Sequence, residues 1–214
     1  KGQYTSEAVD DAGHRALIDA AKAAGVKHFV YTSAQNASSN HPTDFYRTKA
    51  KIESYLKASG LSYTILRPPA FMEWHVHNLL GATVLTTGKT TIYGTGNNPT
   101  NFMAGSDVAR FAVLALTDPR LKNRTINIGG PDNLSRNEVV KLYEKHMGRP
   151  AKVSHVPVGV MKVMGPILRP VQPVLSRLMS FSVWSDTTNQ RFEPAAMLKE
   201  FPVKIGRASC RERV

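Results

Sequence analysis

VKHFVYTSAQNASSNHPTDFYRTKAKIESYLKASGLSYTILRPPAF, Val26 to Phe71, sets two short apolar runs on either side of a helix-forming stretch. The first run, VKHFVYTSA (26–34), is β-prone and lacks polar alternation, as expected of a strand covered on both faces. QNASSNHPTD (35–44) reads as a polar loop, and Phe45 to Ser59 as a helix closing on Gly60. LSYTILRPP (61–69) is a second covered strand, stopped by Pro68 and Pro69. Upstream, Ser6 is placed to cap a helix with Glu7, Asp10 and Asp11 at the positive end of its dipole. Val9, Ala16, Leu17, Ala20 and Ala24 recur there at helical spacing, and Gly25 is the stop. Helix, strand, helix, strand within about 65 residues is the rhythm of an α/β, doubly wound parallel sheet.

Downstream the pattern loosens. FMEWHVHNLLGATVL (71–85) reads as helix, and TTIYGTG (90–96) as a strand entering a glycine turn. SDVARFAVLALTD (106–118) reads as a helix capped by Ser106 or Asp107, and TINIGGP (125–131) as a third short strand. SRNEVVKLYEKHMG (135–148) is a helix opened by a Ser135–Glu138 capping box. Pro157, Pro166, Pro170 and Pro173 then predict short helices in a smaller lobe.

Composition bounds the function. The 214 residues are 42% hydrophobic and 21% charged, which excludes disorder, collagen-like repeats and a bilayer-embedded chain. The lone Cys210 excludes a disulfide framework and a cysteine-rich zinc site, and makes a reduced, cytoplasmic setting the default. Lys and Arg number 28 against 16 Asp and Glu, a net charge of +12. These basic residues are scattered rather than clustered with aromatics, so no nucleic-acid partner is expected. A positive field equally attracts a dinucleotide phosphate or an acidic substrate. KIGRASCRERV (204–214) breaks the character of everything before it and reads as a non-native tail. The chain opens at Lys1 already entering a helix, so the expectation is an internal piece ending near Val203.

Lys49 is the residue that points to chemistry. At about 100° per residue, Phe45, Ile52 and Leu56 lie within roughly 60° of it on their helix. A lysine among core-facing positions either snorkels, with its stem packed and its head in water, or meets a partner. On a parallel sheet the partner would lie in the crevice at the strands' carboxyl ends, where Thr32 and Ser33 end the preceding strand. Pattern alone leaves both readings open.

YTSAQ after a buried strand, Lys49 in the next helix, and then LSYTILRPPAFME resemble the NmrA-like group of atypical short-chain dehydrogenases/reductases. AAKAAGVKHFVYTSA, SDVARFAVLALTDP and INIGGPDNLSRNEVV fit the same likeness, which covers about Glu7 to Phe201. The resemblance implies the C-terminal part of a Rossmann-type sheet binding NADP or NAD, with a small, mainly helical substrate lobe. Residues 1–70 and 104–130 would form the partial dinucleotide-binding domain, and 71–103 and 131–203 the lobe. By this likeness Thr32 and Ser33 border the nicotinamide and its ribose, and Lys49, the candidate catalytic residue, hydrogen-bonds the ribose hydroxyls. Arg67, Pro68, Pro69 and Phe71 wall the nicotinamide, while Met72, Trp74 and His75 face a small-molecule substrate.

Two departures bear on activity. Active short-chain enzymes place a Tyr four residues before the Lys as proton donor; here Phe45 stands there, and Tyr46 points about 100° away. The glycine-rich turn that holds a pyrophosphate on a helix N-terminus is also absent from these residues. Weak dinucleotide affinity is therefore expected of residues 1–203 alone. The resemblance implies an NAD(P)H-dependent oxidoreductase acting on a small carbonyl, quinone or enone, or a non-catalytic sensor of the NADPH/NADP state.

Other signals carry less. Gly88-Lys89-Thr90 ends like a P-loop, but Thr83 stands where its first glycine belongs. Glu73, His75 and His77 have alternating spacing, and a helix would spoil their convergence, so no metal is expected. Val158 to Met179 is apolar with Lys162, Arg169 and Arg177 interspersed; the charges and three prolines exclude a spanning helix. Such a stretch either packs as a lobe over a substrate cleft or rests on a membrane surface.

Overall fold

Apolar runs without alternation should become strands with helices against them, and the computed structural model, which describes residues 7–206, shows this directly. A π-helical stretch (Glu7–Ala12) leads into α1 (Gly13–Ala23), followed by β1 (Phe29–Thr32), α2 (Asp44–Ala58) and β2 (Tyr63–Arg67). Next come β3 (Ala70–Phe71), a π-helical stretch (Met72–Gly81), α3 (Ala82–Thr87), β4 (Lys89–Tyr93), β5 (Thr100–Met103) and α4 (Gly105–Thr117). A 3-10 turn (Pro119–Leu121), β6 (Arg124–Asn127), β7 (Asn133–Leu134), α5 (Arg136–Met147) and β8 (Lys152–Val156) follow. The chain ends in α6 (Val158–Leu168), α7 (Pro173–Thr187) and α8 (Ala195–Glu200). Ser6 and Cys210 lie outside the described residues.

Two units are distinguishable. The first comprises 7–69, 106–128 and 197–203; the second comprises 70–105, 129–196 and 204–206.

In the first unit β2 is the central strand, parallel to β1 on one side and β6 on the other. Ile65 packs with Ile18 of α1, Ile52 and Leu56 of α2 and Tyr31 of β1. Leu66 points to the opposite face and is equally buried, so both faces of the strand are covered. Each such aliphatic side chain contributes about 1.5–3 kcal/mol by leaving water. The loop between β1 and α2 is less solvated than its polar composition implies: Ala34, Ala37, His41 and Thr43 are buried. Residues 197–203 group with this unit, where Arg120 and Arg124 stack on the buried Phe201 ring and Arg124 pairs with Glu200 at 2.5 Å.

The second unit holds a parallel β4–β8 pair and a small sheet in which β5 lies between β3 and β7. Its core joins Leu80, Val84, Ile92, Phe102, Val139, Val140 and Tyr143. The Ser135–Glu138 capping box is present, with Ser135 Oγ accepting from the Glu138 N–H and the Glu138 carboxylate accepting from the Ser135 N–H. Buried Asn101 latches the loop after β6, donating to the carbonyls of Gly130 and Asp132 and accepting from the Gly130 N–H. Gly130 is required there, since a Cβ would lie 1.9 Å from the Phe102 carbonyl oxygen. Among the described residues no helix is long and apolar enough to cross a membrane.

Candidate functional site

The carboxyl end of the first unit's sheet is drawn tight by backbone pairing. Ser33 N–H donates to Leu66 O at 2.7 Å, Ile128 N–H to Arg67 O at 3.1 Å, and Gln35 N–H to Pro68 O at 2.9 Å. Gln35 Nε2 adds a bond to Ile128 O at 2.8 Å, tying the last residues of all three strands into one rim.

α2 lies against this rim and delivers Lys49 to it. Lys49 Nζ donates to the Thr32 carbonyl at 3.3 Å and sits over the rings of Tyr31 and Phe45, at 5.1 and 5.7 Å from their centroids. The head therefore turns to the strand end. The side chain is half-buried, and burial lowers its pKa against the smaller, opposing influence of Asp10 and Glu53. An ammonium carries three donors, and among the described residues Thr32 O is its hydrogen-bond acceptor. It can therefore serve a further hydroxyl at the rim.

One turn along, Glu53 is 2% exposed and gathers three donors. Ser33 Oγ donates to its Oε1 at 2.5 Å, Arg67 Nε to Oε1 at 2.8 Å and Arg67 Nη2 to Oε2 at 2.6 Å. Lys57 stands at 3.9 Å. This fork pins α2 to the ends of both β1 and β2, and it fixes Ser33 and Arg67 as parts of a buried clamp. Glu53 escaped the sequence reading, yet the spacing that singled out Lys49 puts it only 40° away on the same helix face.

The structure brings Thr32, Ser33, Lys49 and Arg67 together, with Pro68 and Pro69 continuing the rim. Two expectations about α2 change: Phe45 is 50% exposed rather than core-facing, and Tyr46 is buried against the His41 ring. Helical phase states which way a side chain points and not whether anything lies there to cover it. Tyr31, also buried, has no hydrogen-bond partner for its hydroxyl among the described residues, and burial raises its pKa.

Phe71, Met72, Trp74 and His75 belong to the second unit. Met72 packs on that unit's core, while Trp74 is exposed. His75 lies 6.1 Å from the Phe181 ring, and burial, assisted by the Arg136 charge, pushes its pKa down to about 4. It is thus neutral at pH 7. Glu73, His75 and His77 diverge: Glu73 accepts from the Gly105 N–H at 3.0 Å, and His77 meets the Tyr143 hydroxyl at 3.4 Å. Among the described residues no three potential metal ligands converge.

The sequence profile of the NmrA-like family matches residues 5–202. The photosystem II assembly factor Ycf39 of Trieres chinensis is 30% identical over 199 residues, covering 91% of this chain and 57% of that protein. Phenylcoumaran benzylic ether reductase PT1 of Pinus taeda is 30% identical over 191 residues, covering 85% of this chain and 62% of that one. The chain spans about half the length of the curated relatives it matches. An NADPH-dependent quinone oxidoreductase from Escherichia coli superposes with a TM-score of 0.74 at 19% identity, over 93% of this chain and 71% of that chain. The same enzyme complexed with NADPH gives a TM-score of 0.70, over 92% and 68% of the two chains, again at 19% identity. The architecture is accordingly Rossmann-type α/β.

Proposed function

This chain belongs to the NmrA-like family, and from that premise we propose that it supplies the nicotinamide side of a site for NADPH or NADH in an oxidoreductase acting on a small carbonyl, quinone or enone. The observation that carries the reading is the Lys49 ammonium, half-buried and aimed at the carboxyl end of β1. The residues fit the nicotinamide–ribose half: an ammonium with hydrogens to spare beside Thr32, on a rim held by the Glu53 clamp. A bound nicotinamide cofactor supplies hydride.

Lys49 Nζ donates to a ribose hydroxyl and, through water, delivers a proton to the oxygen that gains charge. Its lowered pKa suits that transfer better than an ordinary lysine would. Thr32 and Ser33 border the ribose, and Pro68 and Pro69 give a rigid wall that Arg67, locked on Glu53, cannot leave. Roles for Phe71 beside the nicotinamide and for Met72, Trp74 and His75 toward the substrate are proposed on the family likeness alone.

A second reading, a non-catalytic protein that registers the NADPH/NADP state, is favoured by Phe45. Its ring stands where the active enzymes carry a phenol, and it has no proton to give. NAD(P)H oxidation measured against a panel of quinones and enones separates the two. Turnover that falls at least ten-fold in Lys49→Ala supports the reductase. Cofactor binding with no turnover above that variant assigns the sensor.

A further inference from the structure

We propose that the tip of the α6–α7 hairpin docks on an anionic membrane surface. From Pro157 to Ser185 the chain contains no acidic residue, while Lys162, Arg169 and Arg177 contribute three positive charges. Val160, Val163 and Ile167 share one face of α6, within about 60° of arc. That face is open: these three side chains, with Val171 and Val174 around the turn, are 47–79% exposed. The opposite face of α6 carries the buried Met161 and Gly165, where an added Cβ would meet Met179 and Ser180 of α7 at 3.8 and 3.9 Å. The hairpin therefore packs one side inward and offers aliphatic side chains at its tip.

Charge complementarity selects the occupant. The cations flank the aliphatic face rather than lie on it, and a second copy of this hairpin would add three more with no carboxylate between Pro157 and Ser185 to pair them. An anionic bilayer matches both properties at once, taking aliphatic side chains to the depth of the acyl boundary and leaving cationic heads among the phosphates. Pro166, Pro170 and Pro173 break the segment into two short helices, so it lies on the surface and does not span.

The experiment is flotation of the 214-residue chain with vesicles of phosphatidylcholine, with and without about 30% phosphatidylserine. Two variants preserve or alter charge separately: Val163→Ser with Ile167→Ser keeps every charge, and Lys162→Gln with Arg169→Gln keeps every aliphatic side chain. All four positions are exposed, and far-UV circular dichroism is used to check that each variant keeps the parent's helix content. Binding is expected only with the anionic lipid. Each cation is worth roughly five-fold in partitioning, so the glutamine pair should lose about 25-fold. The serine pair should lose ten-fold or more, although its net charge is unaltered.

Equal binding to neutral vesicles, or undiminished binding by the serine pair, would overturn the proposal, the latter because it would reduce the effect to overall basicity. Self-association abolished by the serine pair would assign the face to a second copy. Binding of poly-glutamate at this face in preference to vesicles would assign it to an acidic protein.

Discussion

Replacing Glu53 with leucine should strand Arg67 beside a carboxylate-free pocket, and the structure lets the cost be worked out. Glu53 is 2% exposed and takes both nitrogens of the Arg67 fork as well as the Ser33 hydroxyl. Removing one member of a buried pair costs about 3–5 kcal/mol, most of it from the charge left behind. The Arg67 side chain is 24% exposed, so water recovers part of its solvation and the lower end, about 3 kcal/mol, applies. For a chain of this size that is a fall of about 6–12 °C in Tm. Adding Arg67→Leu removes the stranded cation, and the double variant should regain about 1–3 kcal/mol over the single one. The readout has to be local, because Trp74 and Trp184 both lie in the second unit and their fluorescence would follow the wrong part. Hydrogen exchange of peptides spanning residues 29–33 and 63–67, followed as a function of urea, reports the strands that Glu53 joins. A single variant within about 0.5 kcal/mol of the parent, or a double variant no better than the single, would refute the clamp.

Three further outcomes follow from the same geometry. Burial lowers the Lys49 pKa, so the folded chain holds that proton less tightly than the unfolded one. Stability should thus rise as pH climbs from the lowered value toward 10.5, and Lys49→Met should flatten the rise; urea midpoints above about pH 8 check this, and parallel curves would contradict it. His75, held near 4 in the fold against an ordinary 6.5, contributes stability that is complete above 6.5 and is lost on descent to 4. The loss is about 2–3 kcal/mol; His75→Gln should remove it, and an NMR midpoint for the ring close to 6.5 would refute it. Ser135→Ala breaks the capping box of α5 and should cost about 1 kcal/mol in denaturant titrations.

What was legible in the sequence was whatever a single period or a single cap encodes. The covered strands at Phe29–Thr32 and Tyr63–Arg67 announced themselves as unalternating apolar runs, and Ser135 and Glu138 as a three-residue spacing. β5 did not: Thr100–Met103 is buried throughout, yet Thr-Asn-Phe-Met carries neither alternation nor an aliphatic run. Its Asn101 is buried for a loop more than 25 residues away, which no local pattern can show. Glu53 was missed because a carboxylate on a helix is taken as solvated until its partner is known, and that partner comes from another strand. The rim was half readable. Phase aimed Lys49 inward, while tertiary packing decided that Phe45 would be left open and Tyr46 covered.

The most direct test of Lys49 as a ribose ligand is a titration of the isotope-labelled chain with nicotinamide mononucleotide, which asks nothing of a pyrophosphate loop. At millimolar ligand the amide signals of Thr32, Ser33, Lys49 and Arg67 should move together. Lys49→Met, which loses a charge-assisted hydrogen bond, should weaken binding by about ten-fold or more. Shifts that bypass these four residues, or a variant that titrates like its parent, would contradict the assignment.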